Sequence, residues 1–181
     1  NSGWGILTYG GVTINAGTST ITMDGKSDSQ TGNGVELDPG TATQQTKILS
    51  AATSGTAISI TGTATGTVTT NGGERGIGSW STAGGLVISA SGGGDIVLTG
   101  SSAVVNSSNP GAIYLGAADI LASTGNITLN GGAKGVVTSG SGLTSNIGAT
   151  SAGSATGSVT ITGDNVGSVG TTNVKTTGAV V

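Results

Sequence analysis

Apolar residues two positions apart, separated by a small polar or β-branched residue and followed by glycine, return along the whole chain. The phrase is Ile21-Thr-Met-Asp-Gly25, Ile58-Ser-Ile-Thr-Gly62, Ile96-Val-Leu-Thr-Gly100, Ile127-Thr-Leu-Asn-Gly131 and Val159-Thr-Ile-Thr-Gly163, at steps of 37, 38, 31 and 32 residues. Period-2 alternation over so short a run predicts a strand, and the glycine predicts a turn that closes it. Recurrence at this length marks a solenoid of stacked coils. We label this strand a.

Two further phrases separate its copies. Strand b is expected at Gly3-Trp-Gly-Ile-Leu-Thr8, Gly34-Val-Glu-Leu37, Gly76-Ile-Gly-Ser-Trp80 and Gly111-Ala-Ile-Tyr-Leu115. In the last two units it is poorly marked, and Gly142-Leu-Thr-Ser145 and Val166-Gly-Ser-Val169 are its candidates. Strand c ends each unit: Val12–Gly17, Ile48–Gly55, Val87–Gly92, Ile120–Gly125, Ile147–Gly153 and Val174–Gly178. The 181 residues then form one repeat domain. Its units run approximately 1–18 (partial), 19–55, 56–94, 95–125, 126–157 and 158–181 (partial). Polar insertions such as Lys26–Asn33, Thr41–Thr46 and Thr63–Glu74 fall between the phrases, where a solenoid has its corner loops. No segment shows sustained helical spacing, and the density of glycine and β-branched threonine disfavours helix in every window.

Stacking puts Ile21, Ile58, Ile96, Ile127 and Val159 in one core row and Met23, Ile60, Leu98, Leu129 and Ile161 in a second. Neighbours in a row stand about 4.8 Å apart, and each buried side chain contributes roughly 1.5–3 kcal/mol. The residues between them, Thr22, Ser59, Val97, Thr128 and Thr160, face out, one per strand. Every copy of a strand runs the same way round, so the sheets are parallel. The expected fold is all-β, a right-handed parallel β-helix of about five to six coils of three short strands.

Composition removes most chemistry. With neither histidine nor cysteine there is no thiol nucleophile, no imidazole base and no His or Cys metal site. Charged residues make up only 7% against a usual ~25%. Five scattered basic residues form no stripe for nucleic acid. Nor does any apolar run reach the ~18 residues that would insert into a membrane. Solvation falls to Ser, Thr and Asn. Eight acidic residues spread along the chain argue against a polysaccharide-active β-helix enzyme, which gathers carboxylates on one face.

Within this frame Gly94-Asp-Ile-Val-Leu-Thr-Gly100, Gly111-Ala-Ile-Tyr-Leu115, Ile120-Leu-Ala-Ser-Thr-Gly125 and Gly125-Asn-Ile-Thr-Leu-Asn-Gly131 resemble repeats of filamentous-haemagglutinin-like secreted bacterial exoproteins. The resemblance implies a right-handed β-helix, secretion, and a role as adhesin, stalk or filament.

Few residues stand out as candidates for anything else. Asp24, Lys26 and Asp28 are the densest charges and are expected in a solvated corner loop. Ser91-Gly-Gly-Gly-Asp95 has the look of a calcium-binding turn but occurs once. Adjacent Glu74 and Arg75 are expected on opposite faces or in a loop. Trp4, Trp80 and Tyr114 lie on or beside strand b, either as a contact row for carbohydrate or, the favoured expectation, as fillers of a core corner. Asn106 and Asn126 match the glycosylation pattern.

The expected function is therefore non-enzymatic and cofactor-free. It is a structural or adhesive segment of a secreted cell-surface protein, a stiff rod or filament subunit. Its partners would be copies of itself end to end, further repeats of the same chain, or host or environmental glycans and cell surfaces. Ice or glycan binding is the alternative, a polysaccharide-active enzyme the third. Beginning at Asn1 and breaking off inside a unit, the chain reads as a processed product or an excerpt, with strand edges open to further coils.

Overall fold

The computed structural model describes residues 3–29, 31–41, 43–66, 74–79, 85–103, 111–138, 140–149, 157–168 and 170–181. Among these described residues seventeen strands follow one another in a constant cycle. They are β1 (Ile6–Thr8), β2 (Thr13–Asn15), β3 (Ile21–Ser27), β4 (Val35–Leu37), β5 (Thr46–Ser50), β6 (Thr56–Ala64), β7 (Ile77–Ser79), β8 (Leu86–Ala90), β9 (Asp95–Ser102), β10 (Ile113–Leu115), β11 (Ala118–Ala122), β12 (Ile127–Asn130), β13 (Val136–Val137), β14 (Thr144–Ala149), β15 (Val159–Thr162), β16 (Val166–Gly167) and β17 (Thr171–Lys175).

Each strand pairs with the strand three places on. Sheet a is β3-β6-β9-β12-β15, sheet b is β1-β4-β7-β10-β13-β16, and sheet c is β2-β5-β8-β11-β14-β17. All pairings are parallel. The result is a right-handed parallel β-helix of about six coils. Val180 makes an isolated parallel bridge to Val159, the first contact of a further turn on sheet a.

Register within sheet a places Ile21 beside Ile58, Ile58 beside Ile96, Ile96 beside Ile127 and Ile127 beside Val159. Met23, Ile60, Leu98, Leu129 and Ile161 follow in parallel. Ile58, Ile60, Ile96, Leu98, Ile127 and Leu129 are fully buried, whereas Ile21 and Met23 at one end keep slight exposure and Ile161 at the other packs against the core half-buried. The interior is completed by Val35, Ile77, Ile113 and Val136 from sheet b and Ile48, Ile88, Ile120 and Ile147 from sheet c.

The glycine that ends the recurring phrase is not a turn in the first three complete coils. Gly25, Gly62 and Gly100 lie inside β3, β6 and β9, buried and in register with one another. They face sheet b across the interior. A Cβ on Gly25 would overlap the Gly34 carbonyl oxygen, one on Gly62 that of Gly76, and one on Gly100 would stand 2.6 Å from that of Ala112. The reverse holds as well: a Cβ on Gly34 or Gly76 would strike the backbone of sheet a. Glycine is used here for close approach of two backbones, the second of its physical roles. Strand a runs on past this seam, so Asp24 and Lys26 are outward residues of β3, not members of a corner loop. In the fourth complete coil the phrase closes at once, through a 3-10 turn at Gly132–Lys134, and in the last unit through a bend at Gly163–Asn165.

That short closure moves strand b. It is Val136–Val137, directly after the turn, and not Gly142-Leu-Thr-Ser145; Thr144 and Ser145 already belong to strand c. In the last unit strand b is Val166–Gly167, within the stretch expected.

Candidate functional site

Outward side chains divide the surface into three chemically different faces. On sheet a each strand contributes two or three outward residues, not one, because the strands continue beyond the core rows. Thr22, Ser59, Val97, Thr128 and Thr160 form one row, and Asp24, Thr61, Thr99, Asn130 and Thr162 a second. It is a hydroxyl-rich face, interrupted by Val97, Asp24 and Asn130.

Sheet c carries an amide ladder. Asn173 Nδ2 donates to Asn146 Oδ1 (3.0 Å) and Asn146 Nδ2 to Asp119 Oδ1 (2.7 Å), each one coil from the next. A related ladder marks the corner where strand c passes to strand a. The Asn126 amide N–H donates to Asp95 Oδ1 (2.7 Å), and the Ser158 N–H and hydroxyl donate to Asn126 Oδ1 (3.0 Å each). The polar residue that opens the phrase Gly-Asp/Asn-Ile is therefore an inter-coil clamp, and Asn126 spends its side chain there.

Sheet b is different in kind. Its outward middle positions stack as Leu7, Glu36, Gly78, Tyr114 and Val137. Glu36, though on the outside of the sheet, is 2% exposed, and Arg75, just before β7, is equally buried. Asn33 joins them: its Nδ2 donates to Glu36 Oε2, and its Oδ1 accepts from the Arg75 backbone N–H at 2.7 Å. The Arg75 guanidinium lies 4.0 Å over the Tyr114 ring, a cation–π contact. Gly78 leaves the room for this, since a Cβ there would strike Asn33 Nδ2 and approach Glu36 Oε2 at 2.7 Å. Burial lowers the Arg75 pKa to about 10, opposed by Tyr114 and by the Glu36 charge. Glu74 is also buried, its Oε2 finds no hydrogen-bond partner among the described residues, and desolvation pushes its carboxyl above the usual carboxylate value.

Beside this network, between the first two coils, a cleft of about 420 Å³ opens on the same face. Trp4, Leu7 and Tyr9 line one side of it, and Thr31, Asn33, Glu36 and Asp38 the other. Tyr9, one residue past β1, falls on the same outward side as Leu7 because they are two apart, and the bond from Asp38 N–H to Thr8 O (2.9 Å) continues the pairing beyond β4. Asp38 Oδ1 accepts from the Gly40 N–H at 2.7 Å, fixing the carboxylate at the cleft wall.

Trp4 and Tyr114 thus stand elsewhere than in the core corner. Trp4 is 45% exposed, and Tyr114 lies half-buried on the outer face. Ile113 and Leu115 take the interior places beside Tyr114. Trp4 and Tyr114 do not share a register position, since Leu7 occupies that place in the first coil. Trp80 lies outside the described residues. Glu74 and Arg75, expected in a loop or on opposite faces, are both buried. Their burial had one signal in the sequence: Glu74 and Arg75 directly precede Gly76, which opens the strand b phrase.

Among the described residues no three acidic side chains gather as a group that could hold a metal ion, and no helix is long and apolar enough to cross a membrane. Comparison with protein-family models, with curated proteins and with solved structures finds no match to this chain.

Proposed function

We propose that this chain is a structural or adhesive segment of a secreted cell-surface protein, a stiff β-helical element whose contacts are made by the outer face of sheet b and by the corner loops. The observation that carries the reading is the contrast between faces. Sheet a presents mainly hydroxyls and sheet c a mixed row of Thr13, Lys47, Val87, Asp119, Asn146 and Asn173, whereas exposed Trp4, Leu7 and Tyr9 converge with Asn33, Glu36 and Asp38 on one cleft of sheet b. Stiffness follows from the register: every coil is hydrogen-bonded to its neighbour on three sides, so bending must break ladders on one side and compress them on another. The hydroxyl-rich, charge-poor composition supports an extracellular setting, as does the resemblance to secreted exoproteins. Catalysis is not part of the reading. Glu36 is tied to Asn33 beside Arg75, and the chain holds no imidazole or thiol to work with it.

Adhesion is tested with beads that carry the folded chain, applied to cells and to glycan-coated surfaces. They should be retained above beads carrying an unrelated acidic protein, and equal retention refutes the adhesive role. Light scattering on the same preparation tests end-to-end stacking. The two outward rows of sheet a favour one second reading, ice binding, because hydroxyls spaced about 4.8 Å apart across strands form a regular array. A thermal-hysteresis measurement decides it.

A further inference from the structure

We infer that the cleft between the first two coils is a subsite for a neutral saccharide. Sugar rings stack their C–H faces on Trp4 and Tyr9 while their hydroxyls bond to Asp38. The inference rests on the adhesive half of the reading above and gives it a ligand class.

Three observations lead there. First, Trp4, Leu7 and Tyr9 are 45%, 46% and 66% exposed, and they stand together. In a chain with four aromatic residues and no phenylalanine, two of them are spent on one open wall. Second, the opposite wall is polar and held in place. Asn33 is 1% exposed and bonded at both ends of its amide, Glu36 accepts from it, and the Asp38 carboxylate is anchored by the Gly40 N–H. Third, the volume of about 420 Å³ falls within the ~300–1,000 Å³ of small-ligand sites.

The chemistry of the two walls selects the ligand. A wholly apolar partner would press against Asp38 and desolvate it without return. A phosphorylated, sulfated or uronate ligand would meet the Asp38 carboxylate, with buried Glu36 behind it, in a chain of net charge −3. A neutral sugar offers what remains: an apolar face for the aromatic rings and hydroxyl donors for the carboxylate of Asp38. Aromatic side chains with a wet polar edge suit such amphipathic contacts.

The test is calorimetric titration of the full chain with neutral gluco-, manno- and galacto-oligosaccharides. An oligogalacturonate serves as the anionic probe and a chitosan oligomer as the cationic one. At least one neutral series should bind. Tyr9→Ala and Trp4→Ala should each weaken it about ten-fold, in line with the loss of one aromatic contact. Tyr9→Phe should retain most of the affinity, and salt should change it little. Both wild-type aromatics are exposed, so the alanine variants should keep the far-ultraviolet circular dichroism of the parent and remain informative. Absence of binding by every neutral series overturns the inference. So does binding that survives both alanine variants, or a preference for the chitosan oligomer that disappears with salt and with Asp38→Asn. Beads that adhere equally well with Tyr9→Ala and Trp4→Ala would leave the adhesive role standing and remove this site from it.

Discussion

Replacing Gly62 by alanine should damage this fold far more than its single added methyl suggests. Gly62 sits in the middle of β6, in the third coil, buried and with no positive φ to protect. Its added Cβ would overlap the backbone carbonyl of Gly76, whose own Cβ position is closed by the Gly62 oxygen and the Ser101 N–H. The obstruction is backbone on both sides, so no side-chain rotamer relieves it. Strands β6 and β7 must separate, and each is also paired to the coils above and below. Inserting a methyl group into a well-packed interior costs about 1–3 kcal/mol, and backbone opposition puts this position at or above the upper end, about 3 kcal/mol. The intrinsic preference of the unfolded chain works the other way: removing a glycine stabilises by about 0.4–1 kcal/mol where the native backbone suits alanine. That smaller term cannot offset the clash. The comparison variant is Gly167→Ala, where a Cβ would meet nothing within 4 Å. Urea unfolding followed by circular dichroism should show Gly62→Ala with a midpoint well below the parent and Gly167→Ala within about 0.5 kcal/mol of it. If Gly62→Ala unfolds within that same margin, the close-approach account of the glycine column is wrong.

Two further outcomes concern the buried charges of sheet b. Arg75→Met should destabilise by about 3–5 kcal/mol, because it leaves the Glu36 carboxylate buried without its neighbouring cation; Arg75→Met with Glu36→Gln should recover part of that loss, measured as a double-mutant cycle in urea. Strict additivity of the two would show that Arg75 and Glu36 are not coupled. For Glu74 the folded pKa is raised by burial, so the folded state holds the proton more tightly than the unfolded chain. Its contribution is therefore full below the unfolded value of 4.5 and is lost as pH rises through the higher folded pKa. Glu74→Gln should remove that fall and raise stability at neutral pH, and a stability–pH profile identical to the parent would contradict the assignment.

The coil order and both core rows of sheet a were legible in the sequence because period-2 alternation needs only local information. Ile96 and Leu98 are buried for the same reason that they are written two apart. The role of Gly62 was not legible, since a glycine at a tight turn and a glycine at a backbone contact look alike along the chain. Telling them apart takes the position of Gly76, fourteen residues on. Strand b at Val136–Val137 was missed because two residues carry no period, and only the neighbouring Ile113 and Tyr114 define them. The cleft was the least legible of all. Tyr9 and Asp38 share no motif, and they meet only because β1 and β4 are stacked in register.

The glycine seam has a consequence for how such a chain can vary. Its paired members, Gly25 with Gly34, Gly62 with Gly76, Gly100 with Ala112 and Gly131 with Gly135, are four to fourteen positions apart along the chain. Whatever the length between them, the chain returns to the same point and touches itself. Each loop is cinched at its neck; around Gly62 and Gly76 the neck includes Thr63 and Ala64, paired with the neighbouring coils, and Arg75, bonded to Asn33. Closing a longer loop costs little, about 0.6 kcal/mol for each doubling. The corner thus behaves as a socket: foreign segments grafted between Gly66 and Glu74, leaving β6 and Arg75 in place, should be carried on the outside of the stack while the threaded frame stays as it is.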